Sequence, residues 1–155
     1  MAKPWIVLTP THLKSAMTSD EAARFGKAVT DGAPDDRMVP ILADLTQEIR
    51  GAIKSCKQNT VSADESKIPE EFKTRALAIA RWRLLITIPG YQPGKAREDE
   101  KTDAIAFLRD VAKCVFRPEE ADDAVTPQVP SAAPSPVPLI KSQCRRFTRE
   151  SQDGI

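Results

Sequence analysis

From Met38 onward, apolar side chains recur at helical spacing. Met38, Ile41, Leu42, Leu45, Ile49, Ile53 and Cys56 follow at steps of 3, 1, 3, 4, 4 and 3 residues, which lines one face of a helix. Asp44, Gln47, Glu48, Arg50 and Lys54 fall mostly on the other face. Proline suits only the first turn of a helix, so Pro40 predicts a start near Arg37, after Asp35-Asp36, and an end near Cys56. Gln58 to Lys67 is polar and reads as a loop. Pro69 then opens a helix carrying Phe72, Ala76, Leu77, Ile79, Ala80, Leu84, Leu85 and Ile88. Its apolar residues lie on more than one side, which suits a central helix with several neighbours. Pro89-Gly90 ends it. The last long helix is expected over Ala96 to Phe116, with Ala104, Ile105, Leu108, Val111, Ala112 and Val115 inward. Glu98, Asp99 and Glu100 suit its positive end, and Lys113 and Arg117 its negative end. Pro118 stops it.

The first third of the chain predicts shorter pieces. Trp5, Ile6, Val7 and Leu8 form a strand fragment or an extended segment packed on helices. Thr9-Pro10 reads as an N-cap followed by proline at the first helical position, opening a short helix through Leu13 to Met17. Ser19 is a second candidate N-cap, with Asp20 and Glu21 in the first turn and Ala22, Phe25 and Val29 inward. Asp31-Gly32-Ala33-Pro34 breaks that helix. The expected fold is all-α: a small bundle of three long and two short helices over residues 1–117.

After the bundle the composition changes. An acidic then Pro/Ala/Ser-rich linker covers residues 118–138, where Pro127, Pro130, Pro134, Pro136 and Pro138 disfavour regular structure and favour extended chain. At ~3.1 Å per residue, residues 126–138 could span about 40 Å. Residues 139–155, LIKSQCRRFTRESQDGI, are different again. Leu139, Ile140, Phe147 and Ile155 are apolar, and Arg145, Arg146 and Arg149 bracket the phenylalanine. An apolar, cationic peptide on a tether is suited to docking on another protein, because a segment that orders on a partner can wrap a large surface.

Overall charge narrows the reading. The 23 basic and 22 acidic side chains nearly cancel, which argues against wholesale coating of nucleic acid. Aromatics make up 5%, few for a base-stacking module. Cys56, Cys114 and Cys144 are odd in number and widely spaced, and His12 is the single histidine, so four zinc ligands are not at hand. Cys56 and Cys114 fall on apolar helix faces and read as free thiols acting as small hydrophobes. With no signal sequence recognisable at the N-terminus, this predicts a reducing cytosol. The apolar run at the N-terminus is too short to span a membrane.

Candidate chemistry is sparse. His12 lies on a short helix, where it reads as a helix residue rather than a base. The six glycines form no phosphate-binding loop, and no nucleophile elbow is present. Glu98, Asp99 and Glu100 are consecutive on a helix and point apart, so they do not converge on one ion. No enzymatic activity, cofactor or metal is expected. Lys73, Arg75, Arg81, Arg83, Lys95 and Arg97 could form a basic face over residues 73–97, the basis of an alternative reading as a helical DNA-binding or regulatory module. A solvated face balanced by Glu70 and Glu71 is the simpler account. Trp82, between two arginines, is either an anchor for a neighbouring subunit or a core residue. Arg75, Arg81, Trp82 and Arg83 are thus candidate inter-subunit or channel residues.

With these segments in order, the chain resembles the small head–tail connector, or head-completion adaptor, proteins of Mu-like tailed phages and prophages. The likeness runs through Thr9-Pro10-Thr11-His12-Leu13, Phe25-Gly26, Ala43-Asp44 and Glu48-Ile49. It continues through Ile68-Pro69, Ile79-Ala80-Arg81-Trp82-Arg83-Leu84 and Ala106-Phe107-Leu108-Arg109-Asp110-Val111-Ala112. Arg146-Phe147-Thr148-Arg149-Glu150 with Gly154 is similar to the family's terminal Arg-x-Phe-Ser/Thr-Arg pattern. The resemblance implies a helical protomer without enzymatic activity in a ring, of twelve copies, at the virion neck. Such a ring sits beneath the portal protein, extends the channel through which DNA passes without sequence reading, and offers a platform to the next neck or tail protein. It implies assembly in the host bacterial cytoplasm and no membrane partner.

Overall fold

The computed structural model describes residues 4–29, 34–121 and 123. The elements run β1 (Trp5–Val7), α1 (Pro10–Ala16), α2 (Ser19–Ala28), α3 (Pro34–Ser55), β2 (Lys67–Pro69), α4 (Lys73–Leu85) and α5 (Lys95–Ala112), with one 3-10 turn, Glu70–Phe72, leading into α4. The expected all-α bundle is what forms: three long helices, two short ones and a minimal two-stranded ribbon. That ribbon pairs β1 with β2 antiparallel, Ile6 opposite Ile68. The strand fragment at Trp5 is therefore real, but its partner lies in a stretch expected to be the end of a loop and the start of α4.

Local chemistry sets the helix starts. Thr9 caps α1, its side chain accepting from the His12 N–H. Thr18, not Ser19, caps α2. Its hydroxyl accepts from the Glu21 N–H at 3.3 Å, and the Glu21 carboxylate accepts from the Thr18 N–H at 2.8 Å. This reciprocal box needs an acid three residues after the cap, and from Ser19 that position is Ala22. The consequence is a different inward face: Glu21 and Phe25 are buried while Ala22 is exposed. α3 begins at Pro34, earlier than expected, with Asp35 and Asp36 in its first turn and Pro40 inside it. Proline preset for helical φ at Pro34, followed by acids at the positive end, starts the helix there.

α5 ends at Ala112, not Phe116. The N–H of Cys114 bonds the Val111 carbonyl at 3.1 Å and that of Val115 bonds the Asp110 carbonyl at 2.9 Å. This is a Schellman stop, which requires a left-handed residue just past the helix. Cys114 fills that position at φ 62°. The chain turns away, and Val115, expected inward, is 75% exposed.

α4 is the hub. It packs against α1, α3 and α5, as its apolar residues on several sides anticipate. Leu13, Met38, Leu45, Ile49, Ile53, Ile68, Phe72, Ile79, Leu84, Leu85 and Val111 are all essentially inaccessible. At one end of this core Phe72, Phe107 and Phe116 meet with ring centres 4.9 to 6.3 Å apart.

The cysteines correct the sequence reading. Cys56, just past α3, and Cys114, just past α5, are joined in a disulfide with their Cα atoms 5.3 Å apart. They are not free thiols, and the inference of a reducing compartment loses the part of its support that was drawn from them. A spacing of 58 residues carries no local signature of pairing; only the packing of α3 against α5 brings the two together.

Candidate docking surfaces

The four candidates on α4 do not share one surface. Arg81 is buried; it donates to the Ala16 carbonyl at the end of α1 and to the Glu100 carboxylate on α5. Arg83 pairs with Glu48 on α3. Arg75 is exposed and lies 3.7 Å above the ring of Phe107. Trp82 is half-buried, with the Lys101 ammonium 4.5 Å from its ring centre. Each of these three arginines has a partner within the bundle. Helical neighbours of Arg81 are Leu77, Ala78, Leu84 and Leu85, an apolar surround that marks the position as internal.

Arg81 belongs to a chain of charges. Arg97 Nε donates to Glu21 Oε1 at 2.9 Å, and its Nη1 reaches Glu100, which also receives Arg81. Two carboxylates and two guanidiniums alternate, so the cluster is neutral and ties α2, α4, α5 and the end of α1. Burial alone would raise the Glu21 pKa. The Thr18 N–H bond, the Arg97 bond and the positive charges of Arg97 and Arg81 outweigh it and hold the carboxyl below its ordinary 4.5. Arg97 is likewise held above the usual arginine value, by Glu100 and Glu21 against the cost of its own burial.

The opposite end of α3 carries a second buried arginine with different partners. Arg50 is 2% exposed. Its Nη1 donates to the carbonyls of Asp64 and Lys67 and its Nη2 to that of Ser62, each at 2.9 Å. It therefore clamps the 62–67 loop by its backbone. The helical spacing places Arg50 among the residues mostly opposite the apolar stripe and carries no sign of this role.

The clamped loop forms one wall of an apolar groove of about 420 Å³. Val7, Leu8 and Pro10 lie on one side and Val39, Leu42 and Ala43 of α3 on the other; Asp44, Gln47, Glu65 and Ser66 form the polar rim. Val7 is 43% and Val39 54% exposed. No lysine or arginine lines it, and the Asp44 and Glu65 carboxylates make no ion pair among the described residues. A second groove of about 480 Å³ lies between α4 and α5, but Lys73, Arg75 and Arg81 there face Glu100 and Asp103.

Comparison with models of protein families, with curated proteins and with solved structures finds no match for this chain.

The segment after α5 returns across the ribbon. Trp5 Nε1 donates to the Glu119 carbonyl at 3.3 Å, and the Glu119 N–H donates to Glu71. Ala121 is buried. The Ala63 N–H then donates to the Asp123 carbonyl, and the Ser62 hydroxyl to the Asp123 carboxylate at 2.9 Å. The tail thus leaves the bundle beside Ser62, on the loop whose Glu65 and Ser66 wall the first groove. The arm residues Leu139, Ile140, Arg145, Arg146, Phe147, Arg149 and Ile155, and most of the 118–138 linker, lie outside the described residues. Among those described, no helix is long and apolar enough to cross a membrane.

Proposed function

We propose that this chain is a structural adaptor of a phage or prophage head–tail junction, without enzymatic activity. Copies form a ring, twelve-fold by the resemblance above, under the portal protein; the ring extends the DNA channel and receives the next neck or tail protein. The observation that carries this reading is the order of parts. A helical bundle fastens the start of its tail at one edge, and the tail continues through a proline-rich spacer to Arg146-Phe147-Thr148-Arg149. The burial of Arg81 and its pairing with Glu100 support it over the DNA-binding alternative, since a guanidinium already paired inside the fold gains little from phosphate.

The test is assembly. Mixed with the portal ring of the same phage, the protein should give a closed ring in electron microscopy and a discrete multiple of its 17.0 kDa mass in native mass spectrometry. Truncation before Leu139 should remove attachment while leaving helical circular dichroism unchanged. A protein that stays monomeric beside the portal, or that binds duplex DNA with a steep salt dependence, sinks the proposal.

A further inference from the structure

The Val7–Val39 groove is the surface whose chemistry matches a segment of this same chain. Its floor is apolar and its rim carries two carboxylates, Asp44 and Glu65, with no lysine or arginine lining it to oppose them. The terminal segment carries Phe147 flanked by Arg145, Arg146 and Arg149. An aromatic anchor entering an apolar groove while flanking arginines meet a carboxylate rim is a complementary pair. The second groove, with both signs of charge on its rim, has no such preference.

The tail's point of departure decides whose groove is filled. Asp123 is bonded to Ser62 and Ala63, and Glu65 of the groove wall is only three residues beyond Ser62 along that loop. The tether from Asp123 to Leu139 is 16 residue steps long, with five prolines along it. At ~3.1 Å per residue it can reach about 50 Å. That length is far more than a return to the adjacent groove requires, and it is enough to reach another copy.

Resting on the ring assembly proposed above, we infer that the groove of each copy receives residues 139–155 of a second copy, with Phe147 on its apolar floor and the arginines against Asp44 and Glu65.

Cys144 makes the test direct. The Ala43→Cys, Cys144→Ser double variant, mixed with unaltered chain in the complex with the portal ring, offers a new thiol at position 43 on one copy and the native Cys144 on another. Ala43 is exposed, so the change leaves the core alone. Mild oxidation should give a reducible dimer, mapped by mass spectrometry to a 43–144 linkage. Adding Asp44→Lys and Glu65→Lys, or Phe147→Ala on the donor, should lower its yield about tenfold with unchanged circular dichroism. A ring that forms without the linkage overturns the groove assignment and leaves the adaptor reading standing. So does capture of the introduced thiol by a portal chain, or a linkage that appears only within one chain when Ala43→Cys is made alone. Absence of any ring overturns both.

Discussion

The two ends of the bundle bury an arginine each, and they neutralise it differently. At the α1–α2 end, Arg81 and Arg97 are matched by Glu100 and by Glu21, whose carboxyl is held below its ordinary value. At the loop end, Arg50 is held by three backbone carbonyls, and the nearby α3 terminus is tied to the stop of α5 by the Cys56–Cys114 disulfide. Carbonyls and disulfides do not titrate in the ordinary range. One end is therefore sensitive to acid, the other to reductant.

Reduction should have the largest effect. Closing a loop of 58 residues removes chain entropy from the unfolded state corresponding to about 4 kcal/mol. Cys114→Ser should lower the unfolding free energy by up to that amount in urea titration. Cys114→Gly should lose about 1 kcal/mol less, because the left-handed position at φ 62° suits glycine. Equal losses for the two would mean that the helix stop does not strain the cysteine. Arg50→Met comes next. It strands carbonyls of the 62–67 loop, at a cost of about 3 kcal/mol, and hydrogen exchange should rise first at Ser62–Lys67 while α2 stays protected. Glu21→Ala should cost about 2 kcal/mol, through the lost cap and the lost Arg97 contact.

The Glu21 variant also sharpens the contrast through pH. The folded protein holds the Glu21 carboxyl below its ordinary 4.5, so the folded state favours the ionised form. Its contribution is complete above 4.5 and is lost as pH falls through the lower folded value. Stability of the parent chain should therefore decline below about pH 4.5, with exchange rising first across α2 and the start of α5. Glu21→Gln should flatten that decline. An unchanged acid limb in the variant would show that the Glu21–Arg97 contact does not govern this end.

Much of the core was legible because it is periodic. The steps from Met38 to Cys56 locate the buried stripe of α3, and the two-sided apolar pattern of Phe72 to Ile88 marks α4 as central. The features without a sequence signal depend on long-range partners or on exceptions to charge rules. Lys67-Ile68-Pro69 is too short to alternate, and it becomes a strand only because β1 lies beside it. Arg50 carries the charge of a surface residue and takes its burial from carbonyls far along the chain. Thr18-Ser19-Asp20-Glu21 did carry a readable signal, since only Thr18 has an acid three places on. The apolar groove has no sequence signature: Val7, Val39 and Glu65 are separated in the chain and meet only in the fold.

The seam that holds Glu119, Ala121 and Asp123 to the ribbon fixes the origin of everything that follows it. A tether with a fixed origin explores a bounded volume, and whatever it carries is present there at an effective concentration in the millimolar range. In a ring, each copy would offer its terminal peptide to the next at that local level however dilute the protein. A contact with a dissociation constant of about 1 mM, invisible between free molecules, would then be occupied roughly half the time in the assembly. Unfastening Asp123 from Ser62 would widen the search and thin that supply without touching a single contact residue.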